Sequence, residues 1–390
     1  MEAAPPTIYL DHAATTPIRR EVLEAMVPVM SQTFGNPSSV HGAGRAARAL
    51  VDGARDQLAV ALHARPREIV FTGGGSESDN LALRGVVRQL GKPAGHLIIS
   101  AIEHEAILET ARDLRRQGFD LTELEVDGAG RVLPEVLEAA LRPDTVLVSV
   151  MLANNEVGTL EPIQELAEIT HSRSRAVFHT DATQAMGKLK LDVGELGVDL
   201  LTVSAHKIYG PKGVGALYAR HGTALDPVIT GGGQERARRS GTENVPGIVG
   251  FGIAAQLAEA EREAEMDRQA ALTLELGRLI STGLPDAIPT GAPVGERLPN
   301  FCTFAFPGVE GELLLLRLDR AGLCASAGSA CASGSLAPSH VLLAMGLTPD
   351  TASGHLRLSL GRSTSATEVA RAAGLICREV AALRRSALAV

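Results

Sequence analysis

The chain has 390 residues, of which 45% are hydrophobic, which is enough for a sizeable core and favours two domains. Its net charge of -8 argues against a basic surface for nucleic acid or for an anionic membrane. No stretch has the pattern of a signal peptide or the length of a membrane span. The four cysteines show no CxxC spacing, which is typical of reduced thiols. We therefore expect a globular protein of the cytoplasm.

The first predicted elements are a short apolar strand, Ile8 to Leu10, and a polar turn from Asp11 to Pro17. Asp11 and His12 are potential metal ligands, but an adjacent pair without further ligands does not predict a metal site. We expect this turn to lead into a helix that begins near Arg19 and to provide its cap. A role in lining a functional site is left open.

A β-branched strand that ends near Thr72 runs into three glycines, Gly73 to Gly75, and then into a helix with apolar periodicity. Glycines let the backbone approach a ligand closely, and the free amides at a helix N-terminus attract an anion. Ser76 adds a hydroxyl donor at the same place. The glycine spacing differs from that of a Walker loop and of a dinucleotide-binding fingerprint. This stretch predicts a phosphate cradle, with a plain strand-to-helix turn as the alternative.

Strands and helices alternate over much of the chain. Strands are predicted at 97–100, 145–151, 177–179 and 200–203, and a further strand ends near residue 218. Helices are predicted at about 44–62, 106–117, 134–141, 163–171, 246–280 and 311–318. This alternation predicts an α/β fold with a mostly parallel, doubly wound sheet and ligands at the strand ends. The charged helix at 246–280 is expected to join the domains in solvent, and an acidic partner-binding surface is the alternative.

Several of these strand ends carry a polar side chain, namely His104, Asn155, Asp181 and Lys207. The lysine is the most unusual, because burying an ammonium group is costly unless the group is neutralised or paired. A partly desolvated lysine amine can attack an aldehyde, which is the chemistry of a Schiff base with pyridoxal phosphate. The alternatives are a surface lysine in a turn and, for the other residues, helix caps or structural roles.

The neighbouring polar groups fit the same cofactor. Asp181 is suited to hold a pyridine nitrogen protonated, which makes the ring an electron sink, and His104 is suited to stack on the ring face. Gln184 is placed for the ring hydroxyl, while Ser204 and His206 offer donors to a phosphate. The sequence therefore predicts one site for pyridoxal 5'-phosphate at the strand ends.

Cys331 lies in a run of small and polar residues, Ala325 to Ser335, that buries little and is expected to be mobile. Six or seven linking residues would carry its thiol about 20 Å at full extension. An ordinary thiol is only slightly ionised at pH 7, so acid–base groups near it are expected to matter. A buried filler is the alternative for Cys331, and that role suits Cys302, Cys324 and Cys377 better.

Six segments in combination resemble the cysteine desulfurases: EHEA at 103–106, ANNEVG at 153–158, HTDATQ at 179–184, SAHKIYGPKG at 204–213, SGTEN at 240–244 and SAGSACASGSLAPSH at 326–340. The long cysteine segment resembles group I of this family, whose members supply sulfur for iron–sulfur clusters and for sulfur modifications. Related aminotransferase-type enzymes share the lysine motif. The likeness runs from Tyr9 to Arg362, which is nearly the whole chain.

The resemblance implies the fold of the fold type I pyridoxal phosphate enzymes. It implies a large cofactor-binding domain at 16–260 and a smaller α+β domain at 1–15 and 261–390, which carries the mobile cysteine loop at about 325–338. It further implies a homodimer with shared active sites, and a protein partner that is a sulfur acceptor or an iron–sulfur scaffold protein.

Specific roles for residues also follow from the resemblance. Three residues are catalytic: Cys331, Lys207, which holds the cofactor as a Schiff base, and His104, which stacks on its ring. The remaining cofactor contacts are Ser76, Asp181, Gln184, Ser204, His206 and, reaching in from the other subunit, Thr242. Asn155 and Arg357 hold the substrate carboxylate, for which a guanidinium is well suited.

The implied reaction converts L-cysteine to L-alanine and leaves a persulfide on Cys331. A selenocysteine lyase or an aminotransferase of the same fold is the alternative, although an aminotransferase has no need of a mobile cysteine. A non-catalytic binding protein is disfavoured because Lys207, Asp181 and Cys331 are all present. Ala237 and Arg238 replace the glycine and apolar residue that are usual there, which leaves the details of the phosphate and dimer contacts open.

Overall fold

The computed structural model describes residues 7–91, 94–328 and 338–387. Cys331 and most of the predicted cysteine loop lie outside these residues. Within the described ranges, no helix combines the length and the apolarity that are needed to cross a membrane.

A seven-stranded sheet confirms the predicted α/β class. With strands numbered along the chain, its spatial order is Ile69–Thr72 (β2), Gly215–Ala219 (β8), Leu200–Ser204 (β7), Val177–Asp181 (β6), Thr145–Ser149 (β5), His96–Ser100 (β3) and Asp120–Leu124 (β4). Neighbouring strands are parallel except where β8 pairs with β2 and with β7, so the sheet is mostly parallel, as predicted. The edge strand β4 was not predicted, because its side chains are mostly exposed or half-buried and give no strong apolar pattern.

The helices lie at Arg20–Ser31 (α1), Gly42–Ala61 (α2), Gly75–Arg88 (α3), Glu105–Arg116 (α4), Pro134–Ala140 (α5), Ile163–Arg173 (α6), Val193–Leu196 (α7), Val245–Gly283 (α8), Gly311–Arg320 (α9), His340–Ala344 (α10), Pro349–Ser353 (α11) and Ala366–Ala387 (α12). Side-chain caps determine where some of these helices begin. The His104 Nδ1 atom accepts a hydrogen bond from the Ala106 amide at 3.1 Å, and α4 therefore starts at Glu105.

Two apolar layers cover the faces of the large sheet. Successive residues of a strand point to opposite faces, so Leu201 packs into one layer while its neighbour Leu200 packs into the other. The same alternation separates Ile98 from Ile99. Burial of both faces explains why these strands read as continuous apolar runs, and it fits the predicted doubly wound arrangement.

A second core forms around a smaller sheet. Phe301–Ala305 (β10) pairs antiparallel with His355–Ser359 (β12) and with Ile288–Pro289 (β9), while Ile8–Tyr9 (β1) pairs parallel with Leu323–Cys324 (β11). Ile8 and Leu10 belong to the same apolar cluster as residues from the C-terminal part of the chain. Helix α8 contributes its first part to the large core and its last part to this one. The predicted domain boundaries at residues 15 and 260 stay a prediction.

Three consecutive non-glycine residues adopt a left-handed backbone, with φ values of 47° at Glu235, 58° at Arg236 and 62° at Ala237. Such residues rarely adopt this conformation, which costs free energy. A buried ion pair holds the segment: Arg55 of α2 donates to both carboxylate oxygens of Glu235, at 2.6 and 2.9 Å. The Phe71 amide of β2 also donates to this carboxylate, at 3.0 Å. Glu235 thus fixes the segment against α2 and β2.

We expect Glu235→Ala to lower the free energy of unfolding by about 3 to 5 kcal/mol, because the buried Arg55 guanidinium would be left without its counter-charge. Urea denaturation followed by circular dichroism measures this loss. The matched control is Glu24→Ala, which removes a largely exposed partner of Arg20 and should cost at most about 0.5 kcal/mol. Equal losses in the two variants would contradict the importance of the buried pair.

Candidate active site

One cleft brings together most of the predicted site residues. It lies at the carboxyl ends of the central parallel strands, where side chains that follow different strands meet. The predicted residues that line it are Ser76, His104, Asn155, Asp181, Gln184, Ser204, His206, Lys207 and Arg357. Thr242 is exposed and does not line the cleft of its own chain, and Cys331 lies outside the described residues. The individual roles of these residues stay predictions.

The Lys207 amine is held by the turn that follows the first strand. Lys207 ends a short 3-10 turn, Ala205–Lys207, that continues β7. Its Nζ donates to the carbonyl oxygens of Ala13 and Ala14, at 2.5 and 2.8 Å. The Thr16 amide and hydroxyl donate to the His206 carbonyl oxygen, at 3.0 and 2.9 Å, which fixes the same turn over the cleft.

Two carboxyl groups lie in the floor of the cleft. Asp181 ends β6, and one of its carboxylate oxygens accepts a hydrogen bond from the Thr183 amide at 2.8 Å. Asp79 on α3 is fully buried, and burial, together with the charge of Asp181, raises its pKa well above the usual range. Ionisation of Asp79 is therefore disfavoured, because it would place a second negative charge in a buried position beside Asp181.

The N-terminus of α3 faces the other end of the cleft. The helix begins at Gly75, after Gly74 with a φ of 148°, and its first amides lie beside Ser76, Ser204 and His206. Burial, and then the charges of Lys207 and Lys212, lower the pKa of His206 to about 4. The neutral imidazole and the helix amides together form a place suited to an anion.

Gly215 allows the close approach of backbones at this end of the cleft. A Cβ atom at Gly215 would lie 2.7 and 2.8 Å from the Gly74 carbonyl carbon and Cα. A larger residue would therefore push the β8 backbone away from the glycine turn that begins α3. The predicted phosphate cradle thus depends on a second glycine loop that is distant in sequence.

Arg357 is held rigidly at the side of the cleft. It is fully buried on β12, and its Nη1 donates to the Asn155 carbonyl oxygen at 2.7 Å. Its Nη2 donates to a carboxylate oxygen of Asp11 at 2.8 Å. The sequence had suggested mainly a turn and cap role for Asp11, with a lining role left open. The structure shows that Asp11 reaches the cleft indirectly, through Arg357.

The cleft fits pyridoxal phosphate by the groups that it leaves unsatisfied. Buried polar groups normally have hydrogen-bond partners. Among the described residues, six buried atoms that belong to cleft side chains have none: Asp79 Oδ1, Asn155 Oδ1, Thr183 Oγ1, Gln184 Oε1, Ser204 Oγ and Arg357 Nε. A polar ligand would satisfy them. The helix amides suit a phosphate, Asp181 suits a ring nitrogen, and the Lys207 amine suits an aldehyde, so the residues present fit this cofactor.

Sequence reasoning missed two residues that shape the site, Asp79 and Thr183, and it missed the partner of Asp11. Asp79 follows Ser76 by three residues and therefore shares its face of α3, a spacing that could have indicated it. Thr183 lies within the HTDATQ segment, between two predicted residues. No local signal indicates that Asp11 contacts Arg357, because the two residues are far apart in sequence.

Comparisons with known proteins agree with this geometry. The family model described as aminotransferase class-V matches residues 8–372. The cysteine desulfurase IscS of Dictyoglomus turgidum is 49% identical over 92% of this chain and 90% of its own length. The cysteine desulfurase IscS of Methanosarcina thermophila is 47% identical over 97% of this chain and 93% of its own. A solved structure of a NifS-like protein superposes with a TM-score of 0.90 at 37% identity, over 96% of this chain and 99% of that one.

These similarities extend over nearly the whole chain. The chain therefore belongs to the aminotransferase class-V family, whose members of this kind have the fold type I architecture and depend on pyridoxal phosphate. Within that family it belongs with the cysteine desulfurases.

Proposed function

We propose that the chain converts L-cysteine to L-alanine and that its own Cys331 receives the sulfur as a persulfide. The observation that carries this proposal is the cleft in which Lys207, Asp181, Asn155 and Arg357 lie together. When bound there, pyridoxal phosphate supplies an electron sink for the electron pair released at the substrate Cα. A solved structure of SspA in complex with cysteine is 37% identical to this chain, with a TM-score of 0.80, which supports cysteine as the substrate.

Some residues of the cleft bind the substrate or the cofactor, and Lys207 transfers a proton. Arg357 and Asn155 bind the substrate carboxylate, and Asp181 holds a proton at the cofactor ring nitrogen. The Lys207 amine, which the Ala13 and Ala14 carbonyl groups orient, takes the proton from the substrate Cα.

The sulfur transfer is a nucleophilic displacement by Cys331. The Cys331 thiolate attacks the substrate sulfur, an S–S bond forms, and the Cβ–Sγ bond of the substrate breaks. The electron pair of that bond stays with the carbon fragment, which takes up protons and leaves as alanine. The persulfide on Cys331 then passes to a sulfur acceptor or iron–sulfur scaffold protein, so that the chain supplies sulfur for iron–sulfur clusters or for thiolation. We place this activity in the cytoplasm.

Incubation of the purified enzyme with L-cysteine and a reducing thiol should release alanine and sulfide in equal amounts. Cys331→Ala should abolish the release of sulfide, because the attacking thiolate is missing. Cys377→Ala, a half-buried cysteine on α12, is the matched control and should keep both products. A keto acid without sulfide would indicate an aminotransferase instead, and native persulfide formation by Cys331→Ser would exclude the proposed nucleophile.

Asp11→Asn should raise the KM for L-cysteine about tenfold and change kcat much less. The variant removes the charged acceptor of Arg357 Nη2, so the guanidinium that binds the carboxylate is less well fixed, and a charge-assisted hydrogen bond of this kind contributes about 1.5 to 3 kcal/mol. Steady-state kinetics with L-cysteine measures both constants. Asp267→Asn, on an exposed part of α8, should change neither. An unchanged KM in Asp11→Asn would refute the positioning of Arg357 by Asp11.

The homodimer is also part of the proposal. Exposed apolar side chains at Leu23, Val27 and Met30 are spaced along one side of α1, and Phe34 follows with 80% of its surface exposed. A row of this kind is typical of a surface that another protein covers. We propose that a second copy covers it and brings its Thr242 to the phosphate end of the cleft.

Val27→Glu combined with Phe34→Glu should convert the dimer to a monomer, because two charges would be buried at the interface without partners. Sedimentation velocity gives the mass. Leu316→Glu is the control: it changes an exposed apolar residue on α9, in the other core, and should leave the dimer intact. A native protein that sediments as a monomer, or a dimer that persists in the double variant, would contradict this interface.

A further inference from the structure

A second cavity shares Lys207 with the cleft. Its wall includes Lys188, which lies four residues after Gln184 in the chain, together with residues of α8 and the turn after β1. The predicted role of the HTDATQ segment ends at Gln184, so no function has been given to Lys188. The chain has only five lysines, and two of them line this one cavity.

Side-chain hydrogen bonds to two backbone carbonyl groups link the two amines. Lys188 Nζ donates to the Gln184 carbonyl oxygen at 2.9 Å. The side chain of Gln184 donates to the Ala13 carbonyl oxygen at 3.0 Å, and the same oxygen accepts from Lys207 Nζ at 2.5 Å. The positions of the two nitrogens are therefore coupled through Gln184 and Ala13.

The acidic groups of the cavity wall are already engaged by other residues. Arg19 and Arg362 bind Glu261, and Arg268 binds Glu265 at 2.7 Å. The charged or titratable groups of the wall are His12, Arg19, Lys188, Lys207, Tyr209, Glu261, Arg262, Glu265 and Arg362. In the part of the chain that the structure describes, Lys188 makes no ion pair with any carboxylate.

The neutral members of the wall do not compensate a positive charge either. Burial lowers the pKa of His12 and raises that of Tyr209 to about 12, so both are neutral at pH 7. Arg262 is paired with Glu259 at 3.2 Å. Burial, and then the charge of Lys207, lower the pKa of Lys188 to about 7. Two amines in such a place do not both hold a proton without cost, so a proton on either one disfavours a proton on the other.

We propose that Lys188 is a positioning residue for Lys207: the two amines compete for a proton in the shared cavity, and a proton on Lys188 disfavours one on the Lys207 nitrogen, which then stays available as a base and nucleophile. The proposal rests on the proposed function, because it assumes that Lys207 attacks the cofactor aldehyde. In that attack a C–N bond forms and the aldehyde oxygen leaves as water. When Lys207 is bound to the cofactor and neutral, Lys188 can take the proton instead.

The test is a pH titration of the visible absorbance of the cofactor-loaded enzyme, which reports the proton on the Lys207 nitrogen without any turnover. Lys188→Gln keeps an N–H donor for the Gln184 carbonyl but removes the charge. It should raise the midpoint of the titration by about one pH unit, which is a tenfold change in proton affinity. Lys188→Arg keeps a permanent charge, and its midpoint should stay at or below the native value.

Lys190→Gln is the matched control, because Lys190 is exposed and bound to Glu195 at the surface. Its midpoint should equal that of the native enzyme. A native midpoint in Lys188→Gln would overturn the proposal and would assign Lys188 only its hydrogen bond to Gln184. Equal shifts in Lys188→Gln and Lys188→Arg would overturn it as well, since they would indicate a disturbance of packing.

A second measurement covers the case in which Lys188→Gln does not retain the cofactor. The full chain without cofactor is treated with formaldehyde and a mild hydride donor, and the modification of each lysine is followed by mass spectrometry at several pH values. Lys207 should then require a higher pH for modification in Lys188→Gln than in the native chain, and an unchanged profile would refute the proposal. If the native chain binds no pyridoxal phosphate, the proposed function itself fails, so the two failures are distinguishable.

Discussion

The site depends on one contact, in which the turn after the first strand packs against Lys207 and accepts hydrogen bonds from it. The carbonyl oxygens of Ala13 and Ala14 hold the Lys207 amine, while Ile8 and Leu10, just before this turn, are buried in the second core. The Ala13 amide in turn donates to Ser359 Oγ at 2.8 Å. Each core therefore supplies one side of the cleft. The two hydrogen bonds from Lys207 to Ala13 and Ala14 form only when both cores are formed and docked.

Burial shifts the pKa values of the ionisable groups around this contact. Burial and the charge of Asp181 raise the pKa of Asp79, while burial and two nearby lysines lower the pKa of His206 to about 4. Glu103, which immediately precedes His104, is also fully buried, and burial raises its pKa to about 8. The surroundings of the cleft therefore carry few uncompensated charges. A cofactor with a phosphate and a protonated ring then meets a small number of defined charges, which favours one orientation.

The sequence was sufficient for those parts of the site that follow directly from local elements. Polar residues at the ends of buried strands predicted Asp181 and Lys207, and three glycines before a helix predicted the anion end. The mostly parallel sheet followed from the alternation of strands and helices. These signals are local, because strand ends and helix beginnings are determined by neighbouring residues.

Other parts of the site follow from contacts between distant segments. The ion pair of Asp11 and Arg357 joins the turn after the first strand to the last strand. The sequence near either residue gives no indication that the other is its partner. The left-handed backbone at Glu235 exists because Arg55 and Phe71 hold its carboxylate. The raised pKa of Asp79 requires knowledge of which carboxyl group lies beside it. Packing, and not local propensity, determines each of these features.

The pairing of Asp11 with Arg357 also sets a limit on when the site can form during synthesis. The turn that carries Asp11 leaves the ribosome well before Arg357, which follows it by 346 residues. The seven-stranded sheet can assemble much earlier, since its last strand ends at Ala219. A partly synthesised chain can thus hold a folded sheet while the carboxylate-binding side of its cleft is still missing. Substrate binding therefore becomes possible only once the segment around Arg357 has emerged and folded, even if the cofactor end of the cleft is already in place.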